Sequence, residues 1–302
     1  MARERYDIRG RTVFVTGAAR GIGAGAAERA HAKGANVALV GLEPERLEEL
    51  AGKLGERAAW FEADVTDMDA LQRAVAGTVE RFGGIDVAIA NAGIAYVEAV
   101  ASAPVEHIER TLEVNLQGVV RTDIAVLPQI VERRGYILNI ASLAAASHAP
   151  LMAPYAASKA GVEAFSNSLR VELAPSGARV GCAYFGFIDT DIVRGSLQHP
   201  ASQLMQKAIP SVLRKPAPLS KALDTIDRGI ERRAARIWAP AFVGGALRLR
   251  GIVQPLTERR AMADKRLPEA LRLADPASGT GDMQDSPLGA AAAAVEERVP
   301  TG

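Results

Sequence analysis

Short apolar runs alternate with longer segments of helical period along most of this 302-residue chain. Such runs are typical of strands buried on both faces, and helix-length spacers between them predict parallel strands joined by helices. We therefore predict one doubly wound α/β domain that binds its ligand beyond the carboxyl ends of the strands. The six runs are RTVFV at 11–15, ANVALV at 35–40, AAWFEA at 58–63, IDVAIA at 85–90, GYILNIA at 135–141 and ARVGCAYF at 178–185.

The alternation fades after about residue 235, where RIWAP is the last candidate strand. We predict a main domain over 1–240, an amphipathic basic extension over 241–275, and a disordered tail over 276–302. The tail is rich in small and turn residues and offers too little apolar surface to offset its chain entropy. For the extension, packing on its own domain is favoured over membrane contact, because apolar stripes at helical spacing usually face a core.

Charge and composition narrow the class of partner. Thirty-six basic and 35 acidic residues leave a net charge of +1, which favours a small-molecule ligand over nucleic acid. A single cysteine, Cys182, excludes an internal disulfide framework, and the charged N-terminus lacks the apolar stretch of a secretion signal. We expect a cytoplasmic protein.

A glycine-rich segment, TGAARGIG, follows the first predicted strand and leads into a helical pattern. Gly17, Gly21 and Gly23 would permit a tight turn, and the helix N-terminus would present N–H groups to a pyrophosphate. Because strand, turn and helix occur in this order, a nucleotide is favoured over an ordinary turn. We predict NAD(P) as the cofactor.

The choice between NAD and NADP depends on the end of the second strand. Gly41 and Leu42 stand where an acidic residue usually binds the ribose, so a 2′-phosphate would meet no carboxylate there and Arg20 would pair with it. Glu43 could instead reach the ribose hydroxyls, and Arg20 could be a solvated loop residue. The pattern leans slightly towards NADP.

A serine, a tyrosine and a lysine form the candidate catalytic group. Ser142 ends the strand run GYILNIAS at the carboxyl edge of the sheet, and Tyr155 and Lys159 share a helix face at i and i+4. A nearby ammonium and a cationic nicotinamide would favour the tyrosine phenolate, so Tyr155 could move a proton. The Ser142 hydroxyl could hold a substrate oxygen as it alternates between carbonyl and alcohol.

Taken in order, these motifs resemble the short-chain dehydrogenase/reductase family, with its Rossmann-like fold. The matching segments are TGAARGIG, ADV at 63–65, ANAG at 90–93, EVNLQG at 113–118, Ser142, and YAASK at 155–159. The resemblance implies Ser142, Tyr155 and Lys159 as catalytic residues, with Asn115 holding a water in the proton relay. It also implies cofactor contacts from Gly17, Arg20, Gly21, Ile22, Gly23, Glu43, Asp64, Val65, Asn91, Ala92, Gly93, Tyr155, Lys159, Gly186, Ile188 and Thr190, and no metal.

Two departures from the family pattern stand out. Phe185 replaces the usual proline in YFGFIDTDIV, which would reshape the wall beside the nicotinamide, and the C-terminal region lacks the usual glycine-rich ending. A homodimer is therefore as well supported as a homotetramer.

The activity that we predict is interconversion of a hydrophobic secondary alcohol and a ketone. The segments after Ser142 and Thr190 are mostly apolar and contain methionines, which suits a hydrophobic substrate. The alternatives are a non-catalytic dinucleotide-binding scaffold or redox sensor with the same fold, and a reductase of carrier-bound or CoA-linked ketones.

Overall fold

Seven parallel strands form one sheet in the computed structural model, which describes residues 5–207 and 214–278. Their order is β3-β2-β1-β4-β5-β6-β7, so the direction of winding reverses between β1 and β4. The predicted doubly wound sheet is confirmed, and every predicted run overlaps a strand. The strands are β1 Thr12–Thr16, β2 Asn36–Gly41, β3 Ala58–Glu62, β4 Val87–Ala90, β5 Tyr136–Ile140, β6 Arg179–Phe185 and β7 Arg236–Ala239.

Helices connect the strands and follow the last one. The first six are α1 Gly21–Ala32, α2 Pro44–Leu54, α3 Met68–Phe82, α4 Val105–Leu112, α5 Gly118–Glu132 and α6 Ala153–Glu172. The next six are α7 Asp191–Gln198, α8 Pro200–Gln206, α9 Leu219–Arg232, α10 Phe242–Arg248, α11 Arg250–Met262 and α12 Leu267–Leu273. A π-helical turn, Glu113–Gln117, joins α4 to α5.

Alternate side chains of the strands enter two separate cores. Val13 and Val15 of β1 pack in the core formed with α1, α2 and α9. Phe14, between them, packs in the core formed with α3, α5 and α6. Because both faces of the sheet are covered, the strands are apolar throughout rather than alternating, as the sequence pattern indicates.

Local sequence explains where individual helices begin and which face they bury. Pro44 occupies the first turn of α2, and Leu47 and Ala51, four positions apart on one face, are its buried residues. The Asp67 side chain accepts hydrogen bonds from the N–H groups of Asp69 (2.9 Å) and Ala70 (3.1 Å) at the start of α3. This is the usual N-cap arrangement.

The region after β7 is helical and lies partly on the main domain. Val243 of α10 is buried and Leu247 packs against the same core, whereas Leu249 and Ile252 are exposed. Of the predicted tail, only Pro276–Ser278 is described, as a short 3₁₀ turn, and 279–302 lie outside the described residues. In the part of the chain that is described, no helix is long and apolar enough to cross a membrane.

Candidate active site

The glycine-rich loop after β1 is closely packed against the end of β4. Gly17 has a positive φ of +64° and accepts a hydrogen bond from Asn91 Nδ2 at 3.2 Å. Asn91 Nδ2 also donates to the Thr16 carbonyl at 3.0 Å, and Thr16 Oγ1 accepts from the N–H groups of Asn91 and Ala92. Asn91 therefore stabilises the conformation of the glycine-rich loop. Thr16 does so too, although the sequence analysis did not single it out.

The glycines of this loop form a cradle of close-packed backbone that leaves no room for side chains. A Cβ on Gly23 would lie 2.1 Å from the Gly17 carbonyl oxygen, and a Cβ on Gly17 would lie 2.9 Å from the Ala92 Cα. Gly21 has a positive φ of +56° and begins the twelve-residue helix α1, whose first N–H groups have no intrahelical acceptor. Ile22 packs against the core behind them. Close backbone approach and free N–H groups fit the pyrophosphate of a dinucleotide.

The two residues expected to choose between NAD and NADP are bonded to each other. Arg20 Nε donates to Glu43 Oε1 at 3.0 Å, and its Nη2 pairs with Glu43 Oε2. Arg46 adds a second ion pair to Glu43 at 3.2 Å. The Arg20 charge is thus balanced by a carboxylate at the end of β2, an arrangement that the sequence did not predict.

Two of the expected cofactor contacts, Asp64 and Val65, follow the end of β3. Asp64 Oδ1 accepts from the Thr66 N–H at 2.8 Å, and its Oδ2 pairs with Arg110 at 2.9 Å. Val65 is buried with Leu71 in a small apolar cluster. Arg110 is a neighbour that the sequence analysis missed, because it comes from α4, which follows the next strand.

Ser142, Tyr155 and Lys159 meet at the carboxyl edge of β5. Ser142 Oγ lies 3.3 Å from the Phe185 carbonyl oxygen and accepts from the Ala144 N–H at 3.1 Å. Lys159 Nζ lies 5.8 Å from the centre of the Tyr155 ring and donates to the Ile140 carbonyl at 2.9 Å. The three side chains that the sequence predicts as a cluster therefore lie together at this edge of the sheet.

Burial shifts the pKa values of Tyr155 and Lys159. Burial raises the pKa of Tyr155 above its ordinary value, and the hydrogen bond with Ser142 only partly opposes it. Burial also lowers the pKa of Lys159 to about 8. Desolvation is therefore the largest influence on both pKa values, and the expectation that the ammonium and a cationic nicotinamide together favour the phenolate stays a prediction.

Asn115 lies in the π-helical turn and is fully buried. Its Oδ1 accepts from the Ile94 N–H at 2.7 Å, and its Nδ2 donates to the Ile94 carbonyl at 2.8 Å and to Ser158 Oγ at 3.4 Å. A Cβ on Gly93 would lie 3.0 Å from Asn115 Oδ1 and 3.7 Å from Lys159 Nζ. Gly93 thus keeps space open between Asn115 and the lysine.

The segment after β6 completes the far side of the cradle. Thr190 caps α7, its Oγ1 accepting from the Val193 N–H at 3.4 Å, and its methyl group faces Gly21. Ile188 is buried, and Gly186 packs close to Val243. The Phe185 side chain is buried in the core, and its effect on the wall beside the nicotinamide stays a prediction. Its carbonyl oxygen is what reaches Ser142.

A narrow cleft of about 10 Å³ adjoins Tyr155 on the side of α4. Its lining is largely apolar and includes Val100, Ala103, Ile108, Leu151 and Pro154. Tyr96 stacks on His107 with ring centres 4.3 Å apart, and His107 Nδ1 lies 2.7 Å from Glu98 Oε1. The sequence analysis missed these residues, although their place directly after β4 at the carboxyl edge is a signal that could have found them.

The C-terminal helices touch the segments around this cleft. Ala270 and Ala274 of α12 pack with Ala201 of α8, Val97 after β4, and Leu151 before α6. Gln254 Oε1 of α11 accepts from the N–H of the exposed residue His148 at 2.8 Å. The helices after β7 therefore pack against segments that line this cleft.

Comparison with known proteins agrees with this architecture. The sequence profile of the short chain dehydrogenase family matches residues 11–201. The chain is 34% identical over 206 residues to nodulation protein G of Rhizobium meliloti, an alignment that covers 68% of this chain and 84% of that protein. It is 34% identical over 190 residues to the 3-oxoacyl-[acyl-carrier-protein] reductase FabG of Chlamydia muridarum, covering 61% and 77% of the two chains.

Solved structures with the same fold include two bacterial enzymes. A short chain dehydrogenase/reductase from Burkholderia phymatum in complex with NAD superposes with a TM-score of 0.72 at 22% identity, covering 83% of this chain and 96% of that one. The 3-ketoacyl-(acyl-carrier-protein) reductase from Brucella melitensis, complexed with NADH, gives a TM-score of 0.69 at 25% identity, covering 77% and 97%.

Proposed function

The chain belongs to the short-chain dehydrogenase/reductase family and is an NAD(P)-dependent oxidoreductase, and we propose that it interconverts a hydrophobic secondary alcohol and the corresponding ketone. One observation carries this proposal. Ser142, Tyr155 and Lys159 converge beside a glycine cradle that fits a dinucleotide. A scaffold that only binds the cofactor would have no need for a buried tyrosine and lysine next to an apolar cleft.

Each member of the group has a distinct task in this proposal. The bound nicotinamide supplies the hydride in reduction and accepts it in oxidation. Tyr155 gives a proton to the carbonyl oxygen during reduction, a role that suits a hydroxyl whose pKa is raised by burial. Ser142 holds the substrate oxygen through a hydrogen bond.

Lys159 and Asn115 support the proton donor. Burial brings the pKa of Lys159 to about 8, so below that pH its ammonium stands beside Tyr155 and stabilises any phenolate that forms. Lys159 would also hold the nicotinamide ribose, and Asn115 would position a water that links the lysine to solvent. We propose ketone reduction as the favoured direction at neutral pH, because Tyr155 then starts with its proton.

For the cofactor we propose a preference for NAD(H), although the sequence alone leans slightly towards NADP(H). A 2′-phosphate would have to draw Arg20 away from Glu43 and would then lie beside that carboxylate, which is unfavourable. A ribose hydroxyl could donate to Glu43 and leave the ion pair in place. The NADH bound to the Brucella melitensis reductase supports the same choice.

The substrate that we propose is free and hydrophobic, since the cleft beside Tyr155 is lined mainly by apolar side chains. A second candidate is a 3-oxoacyl group carried on a protein or on CoA. It is supported by the names of two relatives, the Chlamydia muridarum and Brucella melitensis reductases. The two candidates differ in the size and charge of the carrier and can be separated by assay.

The test is NADH oxidation by the purified protein with a panel of aliphatic and aromatic ketones and with acetoacetyl-CoA. We expect turnover with free ketones, and a loss of several orders of magnitude in kcat for Tyr155→Phe with unchanged NADH affinity. Tyr136→Phe is the matched control. This buried tyrosine begins β5, and among the described residues its hydroxyl donates to the Ala234 carbonyl, away from the proposed site. Wild-type turnover by Tyr155→Phe would refute the mechanism, and turnover confined to acetoacetyl-CoA would favour the second candidate.

A further inference from the structure

A second cavity, of about 450 Å³, lies at the opposite edge of the sheet from Tyr155. Arg11 directly precedes β1, Arg179 opens β6, and Arg232 and Arg233 close α9, so all four side chains meet at the amino ends of the strands. This cavity shares no residue with the glycine cradle or the apolar cleft.

Its lining is strongly basic. Five arginines face two carboxylates: the arginines are Arg5, Arg11, Arg179, Arg232 and Arg233, and the carboxylates are Asp7 and Glu231. This local excess contrasts with the net charge of +1 for the whole chain. Such an excess in a concave site concentrates anions.

Several of these guanidinium groups are held in place without being neutralised. Arg233 donates to the carbonyl oxygens of Arg134 (2.7 Å) and Gly177 (3.4 Å), and Arg179 donates to the Ala178 carbonyl (3.2 Å). A carbonyl fixes a guanidinium but does not cancel its charge.

Carboxylates balance only some of the group. Arg11 pairs with Asp86 at 3.0 Å, and Arg5 lies 3.9 Å from Glu231. Within residues 5–207 and 214–278, no ion pair involves Arg179, Arg232 or Arg233. Among the described residues, three of the five positive charges are therefore not balanced by a carboxylate.

The aromatic residue Tyr6 also forms part of the cavity lining. Its ring lies between Arg11 and Arg233, with guanidinium carbons 4.5 Å and 4.9 Å from the ring centre. Its hydroxyl is buried and has no hydrogen-bond partner among the described residues. Burial raises the pKa of Tyr6, so the hydroxyl keeps its proton and can act as a donor. A buried donor without a partner is rare in folded proteins and calls for an acceptor.

We infer that this cavity is a second ligand site, which binds a soluble small molecule carrying two or more phosphate groups. The guanidinium group of arginine forms bidentate hydrogen bonds with phosphate oxygens. Three arginine charges that no carboxylate balances among the described residues favour an anion with more than one phosphate group. The volume lies within the range of small-molecule pockets, roughly 300–1,000 Å³. This inference goes beyond the proposed oxidoreductase activity and does not depend on it.

Calorimetric titration of the NADH-saturated protein with inorganic pyrophosphate tests the site, because NADH already fills the glycine cradle. We expect one equivalent to bind, at least tenfold weakening in the double variant Arg179→Gln/Arg232→Gln, and a smaller loss in Tyr6→Phe. Arg259→Gln is the control, since this arginine is exposed on α11, far along the chain from the cavity, and should bind as the wild type does.

Three results would overturn the inference. They are a wild type that does not bind pyrophosphate, a double variant that binds pyrophosphate as tightly as the wild type, and a titration signal with chloride that equals the signal with pyrophosphate at the same ionic strength. A melting curve of each variant separates loss of the site from loss of the fold. Sedimentation with phosphatidic acid vesicles separates the two sources of phosphate. If the protein binds the vesicles in a way that requires Arg232 but does not bind pyrophosphate, the ligand is a lipid phosphate and not a soluble molecule.

Discussion

Arg250 of α11 makes a two-point ion pair with Glu163 of α6, with Nη1 2.9 Å from Oε2 and Nη2 2.7 Å from Oε1. Glu163 is buried and follows Tyr155 and Lys159 at successive i+4 positions, so all three lie on one stripe of the same helix. The Tyr184 hydroxyl donates to the same carboxylate at 3.0 Å. The C-terminal region is thus tied directly to the helix that carries the proposed proton donor.

Removing this ion pair should destabilise the fold and disturb the cleft beside Tyr155. In Arg250→Gln the buried Glu163 loses two charge-assisted hydrogen bonds, and we expect a loss of about 1–2 kcal/mol in unfolding free energy, reduced by the exposure of the arginine. Because Gln254 lies one turn further along α11 and holds the His148 N–H, the KM for ketone should rise severalfold. Urea unfolding and steady-state kinetics measure the two effects.

Arg259→Gln is the control for that experiment, since Arg259 is an exposed residue on the same helix. Its unfolding free energy should stay within about 0.5 kcal/mol of the wild type. NADH affinity should not change in either variant, because neither residue is near the glycine loop. An Arg250→Gln protein with wild-type stability and KM would show that the ion pair has no structural role.

The Arg20–Glu43 pair predicts how cofactor preference can be changed. In Glu43→Gln the carboxylate charge is lost, and both Arg20 and Arg46 are released from their ion pairs. We expect the ratio of NADPH to NADH affinity to rise at least tenfold, which is about 1.4 kcal/mol. Fluorescence titration with each cofactor measures the ratio.

Glu45→Gln serves as its control, because Glu45 carries the same charge in the exposed first turn of α2. This variant should keep the wild-type ratio, which separates a local effect of Glu43 from a general change in surface charge. If Glu43→Gln leaves the ratio unchanged, the ion pair does not select the cofactor.

Gly23→Ala tests the packing of the cofactor cradle. The new Cβ would lie 2.1 Å from the Gly17 carbonyl oxygen and 2.7 Å from Asn91 Nδ2, so the loop must move. We expect at least tenfold weaker NADH binding and a stability loss of about 1–3 kcal/mol, the usual cost of overpacking. Titration and urea unfolding provide both numbers.

Gly52→Ala makes the same substitution where space is open. Gly52 lies in α2 with nothing within 4 Å of a new Cβ, so the helix should gain about 0.5–1 kcal/mol and cofactor binding should not change. Equal cofactor affinity in the two alanine variants would contradict the cradle.

The sheet could be predicted from the sequence because both of its faces are buried. Most of the strands are then largely apolar runs, and the spacers show helical period, as β1 and α2 illustrate. The position of Ser142 beside Tyr155 followed from the rule that parallel strands meet at one carboxyl edge. Local sequence patterns were therefore sufficient to predict features that a single strand or helix determines by itself.

Contacts between distant segments could not be predicted in this way. The Arg20–Glu43 pair joins two turns, the Asp64–Arg110 pair joins the ends of β3 and α4, and each side chain alone is compatible with a solvated surface. The raised pKa of Tyr155 also depends on burial by segments far apart in the chain. Such features depend on tertiary packing, for which a single sequence carries no periodic signal.

Asp123 is a buried carboxyl group that should make stability depend on pH. It lies in α5 against Asn139 of β5, whose Nδ2 donates to Asp123 Oδ2 at 2.8 Å. Burial raises the pKa of Asp123 to about 8, although that hydrogen bond opposes the shift. Asp123 Oδ1 and Asn139 Oδ1 both lack a partner among the described residues, which suits a protonated carboxyl that can donate.

The native state then keeps this proton up to about pH 8, whereas the unfolded chain releases it near pH 4. Between these values the native state binds more protons, so stability falls as pH rises, by up to about 1.4 kcal/mol per pH unit. Asp123→Asn retains both a donor and an acceptor but cannot ionise. We therefore expect the variant to gain stability relative to the wild type when urea unfolding is moved from pH 5 to pH 7.5. The same difference at both pH values would show that Asp123 titrates normally in the native protein.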